Sequence, residues 1–210
     1  MQPSRTPTFA LLAACGLALA IGTAAQADSA DQTPTQLPFG MSAEEMQAMM
    51  AAGAPGEMHA KLAEGVGTWH GKTTMWMSPD AEPITSDGTS VVTPILGGRF
   101  IKVDMSGDCP GMGPWSGIGL FGYDNVAEEF QAIWISDHAT GMMVGDGEMS
   151  SDGKTFTWEY TGTCPIAKGP VSVRDVETIT GPNTKTIESF STDPKTGQEF
   201  KMMSIELTRD

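Results

Sequence analysis

The side chains of this sequence able to do chemistry are few: Cys15, Cys109 and Cys164, the histidines His59, His70 and His138, and 15 methionines. Thiolates and imidazoles ligate metals or serve as nucleophile and base, and thioethers select soft ions such as copper(I). No Cys and His stand at the close spacing a zinc site needs. His138 follows Asp137, an order that suits an acid/base pair or a haem ligand, although a solvated loop His is the more ordinary role. Met75-Trp76-Met77 is the one Met-x-Met triplet, and no His accompanies it at ligand spacing. Met as an adaptable filler of a core or cavity is therefore favoured over copper(I). Gly117-Ile118-Gly119-Leu120-Phe121-Gly122 matches the dinucleotide fingerprint as text. That chemistry needs a helix after the glycines, whereas a strand-like run follows Tyr123-Asp124-Asn125, so the glycines read as room for a tightly coiled strand. Gly-x-Ser-x-Gly, His-Glu-x-x-His and Walker patterns are all missing, and no catalytic residue, metal ligand or cofactor is assigned.

The chain has 210 residues, with 12 Lys+Arg against 26 Asp+Glu, a formal net charge of -14. A surface this acidic repels phosphate backbones, which excludes nucleic acid as an expected partner. Residues 1–27 read as a signal peptide: Arg5 is the positive start, Phe9 to Ile21 the apolar run, and Ala25-Gln26-Ala27 the cleavage site. The run is too short to span a bilayer, so a periplasmic or secreted protein without stable membrane insertion after cleavage is expected. Leu12-Ala13-Ala14-Cys15 keeps a second reading open, a lipoprotein acylated at Cys15. Cleavage after Ala27 takes one base and no acid, leaving 11 bases against 26 acids. It also leaves two cysteines, an even count that favours a Cys109–Cys164 disulfide in an oxidising compartment.

Asp28 to Gly40, rich in Thr, Pro, Gln and Asp, reads as a disordered tether. Helices are expected over 41–66, where Ser42 and Glu45 have capping-box spacing and a second segment starts at Glu57. Over 67–210, turn residues recur every ten or so positions between short β-branched and aromatic runs. Phe156, Trp158 and Tyr160 alternate there with Thr155, Thr157, Glu159 and Thr161. About ten hairpin-linked strands make an antiparallel meander, and closure removes its exposed edges. The expected fold is a mainly β, single antiparallel up-and-down barrel with an N-terminal helical plug. Strand parity puts Cys109 and Cys164 at one end of it, opposite the helices. It puts Trp69 and Arg209 together at the helix end, on neighbouring strands, where the guanidinium can cover the indole.

Gly67-Thr68-Trp69 on the first strand with Arg209 on the last resembles the lipocalin and fatty-acid-binding (calycin) barrels. A larger ordered set is similar to the bacterial domain-of-unknown-function family 1579. It comprises His59-Ala60-Lys61-Leu62, Gly67-Thr68-Trp69, Leu96-Gly97-Gly98-Arg99-Phe100, Gly122-Tyr123-Asp124-Asn125, Trp134, Thr140-Gly141, and Glu199-Phe200-Lys201-Met202 through Thr208-Arg209. The resemblance implies a lipocalin-like barrel and carries no activity with it.

The expected function is non-enzymatic binding of a small apolar or amphipathic molecule inside the barrel. Trp134, Phe156, Trp158, Tyr160 and Arg174 are the candidate contacts, reached from the end opposite the helices. Arg174, in Val173-Arg174-Asp175, anchors a ligand only if it points inward, and the strand reads equally well in either phase, as does the one holding Glu206. An enzyme using the same cavity and a structural envelope protein with a filled core are the competing classes.

Overall fold

The computed structural model describes residues 40–166 and 168–210. The signal peptide, Cys15 and all of the tether but Gly40 lie outside the described residues. Within the compact unit Ser42–Asp210, two helices, α1 (Ala43–Ala52) and α2 (Glu57–Ala63), precede ten strands. These are β1 (Gly67–Met75), β2 (Ile84–Ile95), β3 (Phe100–Cys109), β4 (Gly113–Asp124), β5 (Glu129–Ser136), β6 (Met143–Met149), β7 (Thr155–Cys164), β8 (Gly169–Gly181), β9 (Thr184–Thr192) and β10 (Glu199–Arg209). Each pairs antiparallel with its sequence neighbour, and β1 pairs with β10 from Trp69↔Arg209 to Met75↔Met203, closing the barrel.

Both helix starts follow from local chemistry. Ser42 Oγ accepts the Glu45 amide and the Glu45 carboxylate accepts the Ser42 amide, at 3.2 and 2.7 Å, a reciprocal cap that satisfies two orphan donors. At α2 the His59 ring does the same work, its Nδ1 accepting the Gly56 amide at 3.0 Å while the ring packs edge-on to Tyr123. The two helices differ in role. Only α2 plugs the barrel, because Leu62 packs against the inward side chains of both barrel clusters. The apolar residues of α1 are spread around its axis rather than along one stripe, and Met49 and Met50 are exposed. Its C-terminal end is tied down by Arg99, which donates to Gly53 O at 2.7 Å, and by Asn125, which donates to Ala52 O and Ala54 O.

Arg209 joins three elements at this end. It donates to Glu64 O and Val66 O beyond α2, and to Pro182 O and Asn183 Oδ1 in the β8–β9 turn. Its guanidinium carbon lies 5.0 Å from the centroid of the Trp69 ring, which Lys185 Nζ also approaches, at 4.6 Å. The indole N–H donates to Gly65 O. Gly67, at φ 141°, makes this possible, because a Cβ there would stand 2.8 Å from Arg209 Cδ.

No disulfide joins Cys109 to Cys164, contrary to the expectation from their count. Both end their strands at the face opposite the helices, as parity requires. However, β4, β5 and β6 stand between β3 and β7. Four strand spacings of about 4.8 Å put the two strand ends roughly 19 Å apart along the wall, well beyond the reach of a disulfide of about 7 Å between Cα atoms.

Candidate functional site

The inward residues enclose a cavity of about 780 Å³ running the length of the barrel. A volume of this size suits a small molecule, since ligand pockets commonly measure about 300 to 1,000 Å³. Lys61, Leu62 and Glu64 of the helical segment and the β8–β9 turn border one end, and Met77, Met112, Trp115 and His138 the other. Both Met75 and Met77 line it, while Trp76 faces out beneath Lys201, as strand alternation dictates. A register shift in β10 between Lys201 and Met203 lets Met202 and Met203 both reach the lumen. A second concavity, of about 740 Å³, lies on the outer face over Lys72, Asp87 and Glu206; it is an open groove that does not desolvate what it holds.

One side of the cavity is aromatic. Phe121 packs edge-on to Trp158, Phe130 packs edge-on to Tyr123 and Phe156, and Phe156 stacks on Trp158 with an interplanar angle of 8°. Glycines on neighbouring strands make the room. A Cβ on Gly147 would collide with the Trp158 ring and one on Gly117 with Trp134. The glycine run that resembles a dinucleotide fingerprint thus serves ring packing on a barrel strand, with no helix after it.

The adjoining wall is polar at a few defined points. Register carries one inward row across five strands: Trp158 on β7 opposes Asp175 on β8, which opposes Ser189 on β9, then Met203 on β10 and Met75 on β1. Trp158 and Ser189 are 4% and 2% exposed. Among the described residues, Trp158 Nε1, Asp175 Oδ1 and Ser189 Oγ are buried atoms without a hydrogen-bond partner. A row of unmet donors and acceptors in an apolar wall is costly, at about 1 to 3 kcal/mol per group. Burial, with Glu177 adding like charge, pushes the Asp175 carboxyl up to about 6. Ser189 stands near enough to oppose that shift without closing a hydrogen bond of proper geometry. Burial followed by Asp175 and Glu177 also raises the Tyr160 phenol. The neighbouring inward acid, Glu177, is neutralised by Lys185 at 2.8 Å.

Of the residues singled out from the sequence, Trp134, Phe156, Trp158 and Tyr160 border this cavity. Arg174 does not. It follows the outward phase of β8, opposes Glu159, binds the Glu199 carboxylate at 2.8 Å and covers the Phe190 ring at 4.2 Å. Glu206 is likewise exposed on the outer wall. The inward charges are instead Asp175, Glu177 and Lys185, each one or more positions from the residues sequence patterning picked out. His138 is exposed at the rim, 4.0 Å from Asp137, whose carboxylate is held low by the amide and hydroxyl of Ser116. His70 pairs with Asp210 on the outer face, so the histidines are not brought together. Among the described residues no group of three or more His, Cys, Asp and Glu could hold a metal ion.

A family model described as "Protein of unknown function (DUF1579)" matches residues 54–209. No curated protein matches the chain. Among solved structures, an S-type phycobiliprotein lyase, CPES from Guillardia theta, is similar at a TM-score of 0.54 and 11% identity, covering 74% of this chain and 93% of that one. A redesigned β-barrel, b11L5F_LGL, is similar at 0.41 and 16%, covering 74% and 99%. EF1p2_mFAP2b, solved bound to DFHBI, is similar at 0.40 and 14%, covering 73% and 100%. At these identities the first likeness shows a shared barrel fold and nothing more specific.

Proposed function

Because the chain belongs to the DUF1579 family, which brings a barrel and no assigned role, we propose from its own cavity that it binds one small, largely apolar molecule and does no chemistry on it. The observation that carries this reading is the cavity of about 780 Å³ with one aromatic side and an inward row of unmatched polar atoms. A filled structural core would bury those polar atoms against partners. The solved structure from Guillardia theta is named a phycobiliprotein lyase, and its likeness supports the barrel fold alone. Ligand reaches the cavity from the end bordered by Met77, Met112 and His138, because α2 covers the other. Export through the leader, with cleavage after Ala27, makes the holder a periplasmic or secreted one.

Titration with Nile red, an uncharged dye, tests the reading. Saturable emission with one site per chain is expected, lost in Val173→Trp, which fills the lumen beside Tyr160, and retained in Arg174→Ala on the outer face. Emission that does not saturate, or that survives Val173→Trp in a folded protein, would overturn it.

A further inference from the structure

The unmatched polar row defines a head group, given that the cavity is a binding site at all. Trp158 Nε1 is an obligate donor and needs an acceptor. Asp175 Oδ1, one strand over, offers an acceptor to a donor, and Ser189 Oγ, one strand further, can serve either way. Residues directly opposed across an antiparallel pair hold their Cβ atoms about 5 Å apart, so neighbouring members of the row can be met by one small group. The cations that line the cavity are already engaged: Lys185 with Glu177 and the Trp69 face, Lys61 with Glu64, and Arg209 with backbone carbonyls and Asn183.

Three simple head groups fail against this pattern. A carboxylate brings a second negative charge beside Asp175, where each lining cation among the described residues is already paired. An ammonium satisfies Asp175 and leaves the Trp158 N–H unanswered. A lone hydroxyl meets one or two of the three. An uncharged head with an N–H donor and a carbonyl acceptor side by side meets all of them: N–H to Asp175, carbonyl from Trp158, and Ser189 completing either. We propose that the cavity is specific for an amphipathic molecule with such an amide- or lactam-type head, seated on the Trp158–Asp175–Ser189 row, and that it discriminates against fatty-acid-type anions. The apolar remainder lies along Phe121, Phe156, Trp134 and the methionines. This rests on the binding role argued above and goes on to fix the chemistry of the ligand.

The experiment uses four probes with the same ten-carbon tail: decanamide, decanoic acid, decylamine and 1-decanol. Each displaces Nile red from the full mature protein at pH 7.5. Leaving buried polar groups unpaired is the stronger source of discrimination. Decanamide is therefore expected to bind at least tenfold tighter than each of the other three. Trp158→Phe, which keeps the ring and removes the donor, should cut the advantage over decylamine. Asp175→Asn, which removes the charge at nearly constant shape, should bring decanoic acid within a few-fold of decanamide. Should all four displace the dye equally, or decanoic acid or decylamine bind tightest, the head-group assignment is overturned while the binding role stands. Should Nile red itself fail to bind, the binding role falls and the assignment with it. Circular dichroism of each variant shows that a lost response is not lost folding.

Discussion

Gly147 and Trp158 are register partners across β6 and β7, and the indole lies in the space that a Cβ on Gly147 would fill. The missing side chain on one strand thus sets the position of the ring on the next. That ring in turn fixes the stack on Phe156 and the edge contact with Phe121.

Gly147→Ala should therefore act on the site rather than merely on the strand. The added methyl forces the indole off its place in a close-packed wall, at a cost of about 1 to 3 kcal/mol by the usual penalty for overpacking. Chemical denaturation measures that loss, and a changed near-ultraviolet dichroism band should report the displaced ring. Nile red affinity should fall as well. Unaltered dichroism and affinity would mean that the indole is not held by Gly147.

Arg209→Ala should weaken the closed end of the barrel. The substitution removes a cation over Trp69 and leaves the carbonyls of Glu64, Val66 and Pro182 without that donor. A cation–π contact contributes about 0.5 to 2 kcal/mol and a net hydrogen bond about 1 kcal/mol, much of it offset here by water at the rim. A loss of about 2 kcal/mol in denaturant unfolding is expected. Arg209→Lys should recover only part of it, because a single ammonium cannot span the sites that the planar fork reaches. Full recovery by Lys would show that charge alone matters there.

The disulfide correction has its own measurement. Non-reducing peptide mapping of the full chain expressed with its own N-terminal segment and purified without reductant should find the Cys109 and Cys164 peptides uncrosslinked to each other, and a reducing agent should leave the melting temperature unchanged. A bridged peptide pair would require β3 and β7 to lie far closer than three intervening strands allow.

Much of this architecture was legible in the sequence because it rests on repeating signals. Turn residues between short alternating runs gave ten strands, and parity alone placed Trp69 and Arg209 at one end. The capping box at Ser42 and Glu45 was legible for the same reason: it is decided within four residues. What parity could not supply was distance around the wall, and Cys109 and Cys164 share an end without sharing a neighbourhood. Nor could it supply phase in β8, where Arg174 and Asp175 are adjacent and both charged. The inward assignment of Phe156, Trp158 and Tyr160, carried across the register Trp158↔Asp175, selects the acid over the base. That register depends on where the β7–β8 hairpin turns, which composition does not fix. The same gap hid Ser189, a small polar residue with no signal until its neighbours are known.

Asp175 makes stability depend on pH in a direction opposite to that of most acids in folded proteins. Its carboxyl titrates near 6 in the folded chain and near 3.8 when exposed, because burial disfavours the charged form. Folding therefore favours the protonated acid. The resulting stabilisation is complete below about pH 4 and is lost as pH rises toward and through 6. A shift of this size corresponds to roughly 3 kcal/mol, at about 1.36 kcal/mol per unit. The carboxylates held low by local hydrogen bonds, Asp137 and Asp193 among them, work the other way and stabilise as pH rises past their own lower range. The informative quantity is thus the difference between wild type and Asp175→Asn. Urea unfolding at half-unit steps from pH 4 to 7.5 should show the wild type losing stability relative to the variant across that span, with the difference levelling off above about 7. A difference independent of pH would mean that Asp175 is solvated in the lumen rather than buried against it. The acceptor it offers to a ligand would then already be satisfied by water.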